Sequence, residues 1–347
     1  MAGALTQPHW VPPAEMRARL ARTSGLADLH ATTVELPQQD EVLPRELAHD
    51  CWLRAQLAAT VPDIAPGAMA AVRQLAALAS EPDGVRLDVR GWLLEPVHFH
   101  LAKDHVVLVS GAAQGLAQAQ AQALAQAIAP VLEQDGLSLT VATPGHWLMG
   151  DARQALQLQC AASEAAAGRN VDGYLPRGAD ARRYRRLLNE IQMTWHDHPV
   201  NEQRAAAGDL PLNSVWLSGP ATAEAVAAFR DGVAGGVYRL EDSLLGPRLR
   251  DDRFAWLEAL QALDARLHEW LTAPQPPAIL LCGEREARRL ERGATGWRGW
   301  PAAVGSGIAR LTRRLRPAER TAGGGNRAPD GGPPIADPLV RLFTEAP

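Results

Sequence analysis

The chain has 347 residues, 46 % hydrophobic and 21 % charged. That is enough apolar material for a packed core, and it excludes a wholly disordered chain. With 35 basic and 39 acidic side chains the formal charge is −4, so no excess of cations points to nucleic acid or to an anionic membrane as partner.

Residues 1–40 mix Pro, Arg and Gln with little periodicity and are expected to form a mobile leader without the apolar stretch of a secretory signal. No run approaches the roughly 18 apolar residues of a membrane span, which makes a soluble, cytoplasmic protein the expectation. A single α/β domain is expected over 41–300. Its first helix places Leu47, Cys51, Leu53 and Leu57 on one face. A second follows Pro66-Gly67 and stops at Glu81-Pro82-Asp83-Gly84. VRGWLLEPVHFHLA and HVVLVSG read as an α+β hairpin region, with Pro96 suggesting an edge strand or a bulge. An Ala/Gln-rich helix ends at Gly136, and a strand and turn follow in LSLTVATPGHWLM. QALQLQCAASEAAAG is expected to be a helix, and so is 180–208, with a break near Pro199. NSVWLSG, GGVYRLEDS and PPAILLCGE then alternate as strands with two helices. That alternation predicts a mixed, largely parallel sheet with flanking helices. Residues 301–347 are rich in Gly, Pro and Arg and are expected to be a mostly disordered tail.

Cys51, Cys160 and Cys282 are odd in number and far apart, as expected of buried free thiols. Trp297 and Trp300 flank Arg298 in a Gly-rich segment that suits docking of the tail or a protein partner.

Polar residues concentrate at 187–219. Asn189, Glu190, His198, Asn201 and Arg204 lie on helical sequence, and Asn213 precedes a strand that exits at Ser218 and Gly219. Ligands of open α/β sheets bind beyond the carboxyl ends of strands, and an Arg beside Asn and His suits a phosphate or carboxylate. These eight residues form the candidate ligand site for a small anionic or phosphorylated metabolite. The alternative is that the Asn residues cap turns and Arg204 pairs locally. Two H-x-H spacings are weak metal candidates. His98 and His100 share one face of a strand, whereas His196 and His198 at a helix end do not share a face. Glu95 or Glu190 would have to complete such a site.

The run H-P-V-N-x-x-R-x-x-x-G-x-L-P-x-N-x-x-W-L-x-G, His198 to Gly219, resembles the archaeal-type cofactor-independent phosphoglycerate mutases of the alkaline-phosphatase superfamily. With EPVHFHLAKDHVVLV, TPGHWLM, GRNVDGYLP, LLNEIQM and VYRLEDSLLGPRL, much of residues 43–285 resembles the bacterial RpfE-type regulatory proteins grouped with those mutases. The resemblance implies an alkaline-phosphatase-like latter half. It also implies two divalent metals, manganese or similar, on Asp and His ligands beside a Ser or Thr nucleophile. No Asp with a following nucleophile stands near the first strand, and no Asp or His follows PPAILLCGE. Asp242-Ser243 comes at the wrong place in the chain and reads as a helix cap. The reading is therefore a mutase-like protein without cofactor that binds a small anion or a protein partner in a regulatory role. The alternatives are an active metal-dependent mutase or phosphohydrolase, and a non-catalytic interaction scaffold.

Overall fold

The structure, a computed structural model, describes residues 29–37, 43, 45–81, 84–273, 278–283, 285, 287–292 and 341–345. The elements run β1 (Leu29–Val34), α1 (Ala48–Leu57), α2 (Met69–Leu78), β2 (Arg90–Leu101), β3 (Val106–Val109), α3 (Gln118–Gln134), β4 (Ser138–Thr143) and β5 (His146–Gly150). Then come α4 (Ser163–Ala166), α5 (Ala181–His196), α6 (Pro199–Ala207), β6 (Ser214–Thr222), α7 (Ala223–Ala234) and β7 (Tyr238–Glu241). The last are α8 (Leu245–Leu249), α9 (Arg253–Thr272), β8 (Ala278–Cys282), β9 (Ala287–Arg292) and β10 (Arg341–Glu345).

The strands form two sheets flanked by helices. One has the order β3-β2-β5-β4 with β6 also paired to β2, and the other β1-β9-β8-β10-β7. Every pairing among these strands is antiparallel, which overturns the expected largely parallel sheet. The reason lies in how the alternating segments are distributed. β6 belongs to the first sheet, while β7 and β8 belong to the second with β10 between them, antiparallel to each. β7 and β8 thus run the same way, as a helical crossover favours, yet they never pair.

Within each of the two terminal stretches the structure describes a strand. β1, inside the expected leader, pairs with β9 from Leu29↔Arg292 to Val34↔Ala287. β10, inside the expected tail, pairs with β7 and β8. Backbone ladders order segments whose composition carries no strong signal. Trp297 and Trp300 lie outside the described residues.

The hairpin expectation holds, with His98↔Val109 through Leu101↔Val106, but β2 is no edge strand. β6 pairs with it from Arg90 to Val97. On the remaining edge β5 pairs with Gly91–Leu94 and β3 with His98–Leu101. Pro96 falls between those two partners, where the amide it lacks is not needed for a ladder. Side chains alternate across β2. Trp92 and Leu94 pack with α3 and α5, where Trp147 meets Trp195 edge-on at 5.8 Å. Leu93 packs on the other face with α1, α2 and α7.

The helix expected over QALQLQCAASEAAAG is reduced to α4. Leu156, Leu158 and Cys160 are buried while Gln157 and Gln159 are exposed, a period of two that belongs to extended chain. The break at Pro199 is present, with Pro199 opening α6 and the His198 Nδ1 accepting from the Val200 amide at 3.2 Å. Cys51, Cys160 and Cys282 are free and buried. Among the described residues no helix is long and apolar enough to cross a membrane.

The 187–219 segment fastens α5, α6, β6 and β2 together. Asn201 Nδ2 donates to the Trp195 and Leu212 carbonyls, each at 2.8 Å, and its Oδ1 accepts from the Leu212 amide at 2.7 Å. Asn213 does the same for β2, accepting from the Phe99 amide at 2.7 Å and donating to its carbonyl at 3.0 Å. Removing such a side chain leaves buried backbone groups unpaired. Asn201→Ala is expected to lose about 2–4 kcal/mol of stability by that count, read as a lower urea midpoint with an unchanged slope. A midpoint within experimental error of the parent would mean that these hydrogen bonds are not needed.

Candidate functional site

Between β3 and β5 the free edge of β2 opens onto a cavity of about 500 Å³. The polar side chains that matter in its wall are Glu95, His146, Ser163, Glu164 and Arg250, with the Ser110–Gln114 turn completing it. They come from four separate stretches of chain. Glu95 stands on β2 beside Pro96, and His146 opens β5 after the Pro144-Gly145 turn. Ser163 and Glu164 begin α4, and Arg250 follows α8.

Glu95 is only partly exposed. The Ser163 Oγ hydroxyl donates to its Oε1 at 3.0 Å, while Oε2 is sealed from solvent with no hydrogen-bond partner. Burial pushes this carboxyl up to about 7 against the Ser163 hydrogen bond, with Glu164 adding to the rise and Arg73 opposing it. Burial also holds the His146 imidazole below its usual range, against the pull of Glu164. Arg250 is exposed, and among the described residues its guanidinium makes no ion pair. Its aliphatic stem lies over Gly111, at φ +73°, where a Cβ would meet the Arg250 Cδ at 2.6 Å. The missing side chain is what lets the arginine lie along the turn.

Behind the cavity lies a buried charge cluster. Arg73 Nε donates to Asp50 Oδ1 at 2.6 Å and its Nη2 to Glu164 Oε2 at 3.0 Å, while His49 Nε2 is 3.2 Å from Asp50 Oδ1. Burial alone would raise the Asp50 carboxyl, but Arg73 and then His49 overcome it and hold the group well below the carboxylate range. Burial likewise opposes the charge on Arg73, and Asp50 and Glu164 more than restore it. Donor atoms of His49, Asp50 and Glu164 lie within 4.8 Å of one another. The Arg73 guanidinium already sits among them as counter-ion. A divalent cation there would have to displace a buried, bidentate cation. Among the described residues no other group of three such donors exists, so these residues do not fit a two-metal centre.

The residues singled out by sequence meet different fates. Arg204 is buried and spends its donors on the chain itself, Nε on the Leu210 carbonyl at 2.9 Å and Nη2 on the Ala112 carbonyl at 2.7 Å. Ala112 lines the cavity, so Arg204 braces its wall from behind. Asn201 and Asn213 are committed as described above. Asn189 is exposed on α5, and Glu190 pairs with Arg186 at 3.6 Å. Ser218 and Gly219 do not form a loop beyond the strand. β6 continues to Thr222, Ser218 is opposite Leu93, and the φ of +126° at Gly219 sets its backbone where a Cβ would meet Trp92 at 3.2 Å. The His98 and His100 rings are 6.1 Å apart. His98 is buried with Nδ1 donating to the Pro211 carbonyl at 2.9 Å, and His100 is exposed. Neither pair of histidines joins a third metal donor among the described residues. Asp242 and Ser243 precede α8 without a side-chain cap.

No family model matches the chain. A 2,3-bisphosphoglycerate-independent phosphoglycerate mutase of Methanosarcina mazei is 30 % identical over 103 residues, 29 % of this chain and 26 % of that protein. A probable enzyme of the same description from Geobacter sulfurreducens is 33 % identical over 81 residues, 23 % of this chain and 20 % of that protein. The matched segment thus spans about a quarter or less of those relatives. Over that segment the chain is distantly related to cofactor-independent phosphoglycerate mutases. The solved structure of the cofactor-independent phosphoglycerate mutase from Thermoplasma acidophilum aligns with 76 % of this chain and 79 % of its own at 13 % identity and a TM-score of 0.31.

Two outcomes follow from the charges. Arg73→Met strands the buried Asp50 carboxylate and the partly buried Glu164 carboxylate and is expected to cost about 3–5 kcal/mol. Adding Asp50→Asn should recover part of that loss in chemical denaturation, and a double variant no better than the single one would refute the pairing. Glu95 stays protonated to about pH 7 in the folded chain, but only to about pH 4.3 when unfolded. The folded state therefore binds more protons in that window, and stability falls as pH rises through it. Glu95→Gln is expected to remove that slope, which amounts to about 3–4 kcal/mol by about pH 8, in melts taken across the window; an unaltered slope would exonerate Glu95.

Proposed function

We propose that this chain is a mutase-like binding protein. It takes a small anionic or phosphorylated metabolite into the cavity beside β2, serves a regulatory role, and transfers no phosphoryl group through a pair of metals. The observation that carries this reading is Arg73, seated within the His49–Asp50–Glu164 group where a cation would otherwise balance the charge. The cavity supplies the rest. Arg250, whose guanidinium makes no ion pair among the described residues, offers that group to a carboxylate or phosphate. Ser110, Ser163 and Glu95 offer polar contacts to the hydroxyl-bearing end of such a molecule. Arg204, Asn201 and Asn213 enter this reading as groups that hold the wall and the sheet in place.

The relationship to phosphoglycerate mutases makes 3-phosphoglycerate the first ligand to try. It also favours the competing reading, an active metal-dependent mutase. That reading needs a metal pair built from residues other than those assembled here.

The two readings separate in one set of measurements. The purified protein is expected to show no interconversion of 2- and 3-phosphoglycerate with added manganese and no stoichiometric metal. 3-Phosphoglycerate at ten times its dissociation constant should add about 1.4 kcal/mol, a rise in Tm of roughly 2–3 °C. Arg250→Gln should abolish that rise. Manganese-dependent turnover with bound metal would overturn the proposal, and so would a Tm that no anion moves.

A further inference from the structure

The cavity presents an anionic ligand with an awkward neighbour. Glu95 and Glu164 both line it, and two ionised carboxylates beside a carboxylate or phosphate would repel it at short range. Glu164 has a buried cation of its own, with Arg73 Nη2 at 3.0 Å. Glu95 has none within hydrogen-bond reach: its Oε1 receives only the Ser163 hydroxyl, and its Oε2 receives nothing. An oxygen that is buried and unpartnered in the free protein is costly in either protonation state, and it gains most from a ligand atom that completes it.

We propose that Glu95 meets the ligand as an acid, with Ser163 holding Oε1 and a small turn of the sealed carboxyl bringing the proton on Oε2 to an anionic oxygen of the ligand, so that binding takes up a proton. This rests on the cavity being an anion site. It adds the feature the ligand must carry, an oxygen acceptor that reaches past Arg250 to β2. It also makes occupancy a function of pH near neutrality, because burial already keeps the free carboxyl protonated to about 7.

The groups that face Glu95 do not supply that dependence. On α4, Glu164 is held by Arg73 of α2. On β5, burial keeps the His146 imidazole neutral above its lowered range. Arg250 keeps its charge throughout. Asp50 of α1 is ionised far below neutrality, and the groups acting directly on Glu95 are Ser163, Glu164 and Arg73.

The test uses the full chain and two probes whose own charge is constant between about pH 6.5 and about pH 8.5, sulfate and D-glycerate. With only the protonated fraction competent, the affinity of the parent should fall about 20-fold across that interval. Glu95→Gln, which keeps a donor at that position, should bind with the acid-side affinity at both pH values. Arg250→Gln should weaken binding at both and preserve the ratio. Calorimetry of the parent near pH 8 in two buffers of different ionisation enthalpy gives a second readout that needs no variant, with proton uptake approaching one per ligand. Equal affinity of the parent at both pH values, zero proton uptake, or an undiminished pH ratio in a folded Glu95→Gln would overturn the proposal while leaving the anion site standing. Failure of both anions to bind at any pH would overturn the anion site itself, and this inference with it.

Discussion

A proline in the middle of a twelve-residue strand cannot give an amide to a neighbour, and the chain is arranged around that restriction. β2 keeps β6 as its partner from Arg90 to Val97, with a register shift between Gly91 and Leu93, and divides its other edge between β5 and β3. Pro96 stands at the division. The gap becomes the floor of the cavity, and the residue beside it, Glu95, is carried into partial burial by a strand that packs on both faces. The raised carboxyl of Glu95 is a consequence of where the ladder breaks: the sheet removes water from the group, and the pull of Arg73 does not cancel that loss.

The charges behind the cavity obey the opposite logic. Asp50 and Glu164 are drawn inward from α1 and α4, and Arg73 of α2 meets both. A guanidinium suits that place because its fork satisfies two carboxylates at once and stays charged when dry. The same geometry explains why three potential metal donors lie close together without being a good metal site. Their mutual repulsion is already cancelled, and a second cation would stand against Arg73.

The polar run at 187–219 changes meaning once its partners are known. In this chain Asn201, Asn213 and Arg204 each replace a missing stretch of regular structure with side-chain hydrogen bonds to backbone. His198 caps the helix that Pro199 begins. These demands fix residue type at fixed spacing as strictly as a catalytic centre would, since a shorter or apolar side chain leaves backbone groups unpaired. A likeness carried by such residues speaks first of architecture. The chemistry of this chain must be argued from the cavity.

The sequence by itself determined most elements, because hydrophobic period, Gly and Pro punctuation and helix propensity are local properties. The hairpin of β2 and β3, the break at Pro199, the long helices and the buried thiols were legible for that reason. It also marked Arg204, Asn201 and Asn213 as unusual, but it named Glu95 only beside Glu190, as a carboxylate that could complete a histidine metal site. It did not settle strand direction, since an alternation of strands and helices reads the same whether consecutive strands join one sheet or two. Nor did it bring together His49, Asp50, Arg73, Glu95, His146, Glu164 and Arg250, which span two hundred residues and share no motif. Their meeting is decided by which strand edges pair and where one of them is left open, and only the folded chain holds that information, because burial and charge pairing exist only between groups that packing has made neighbours.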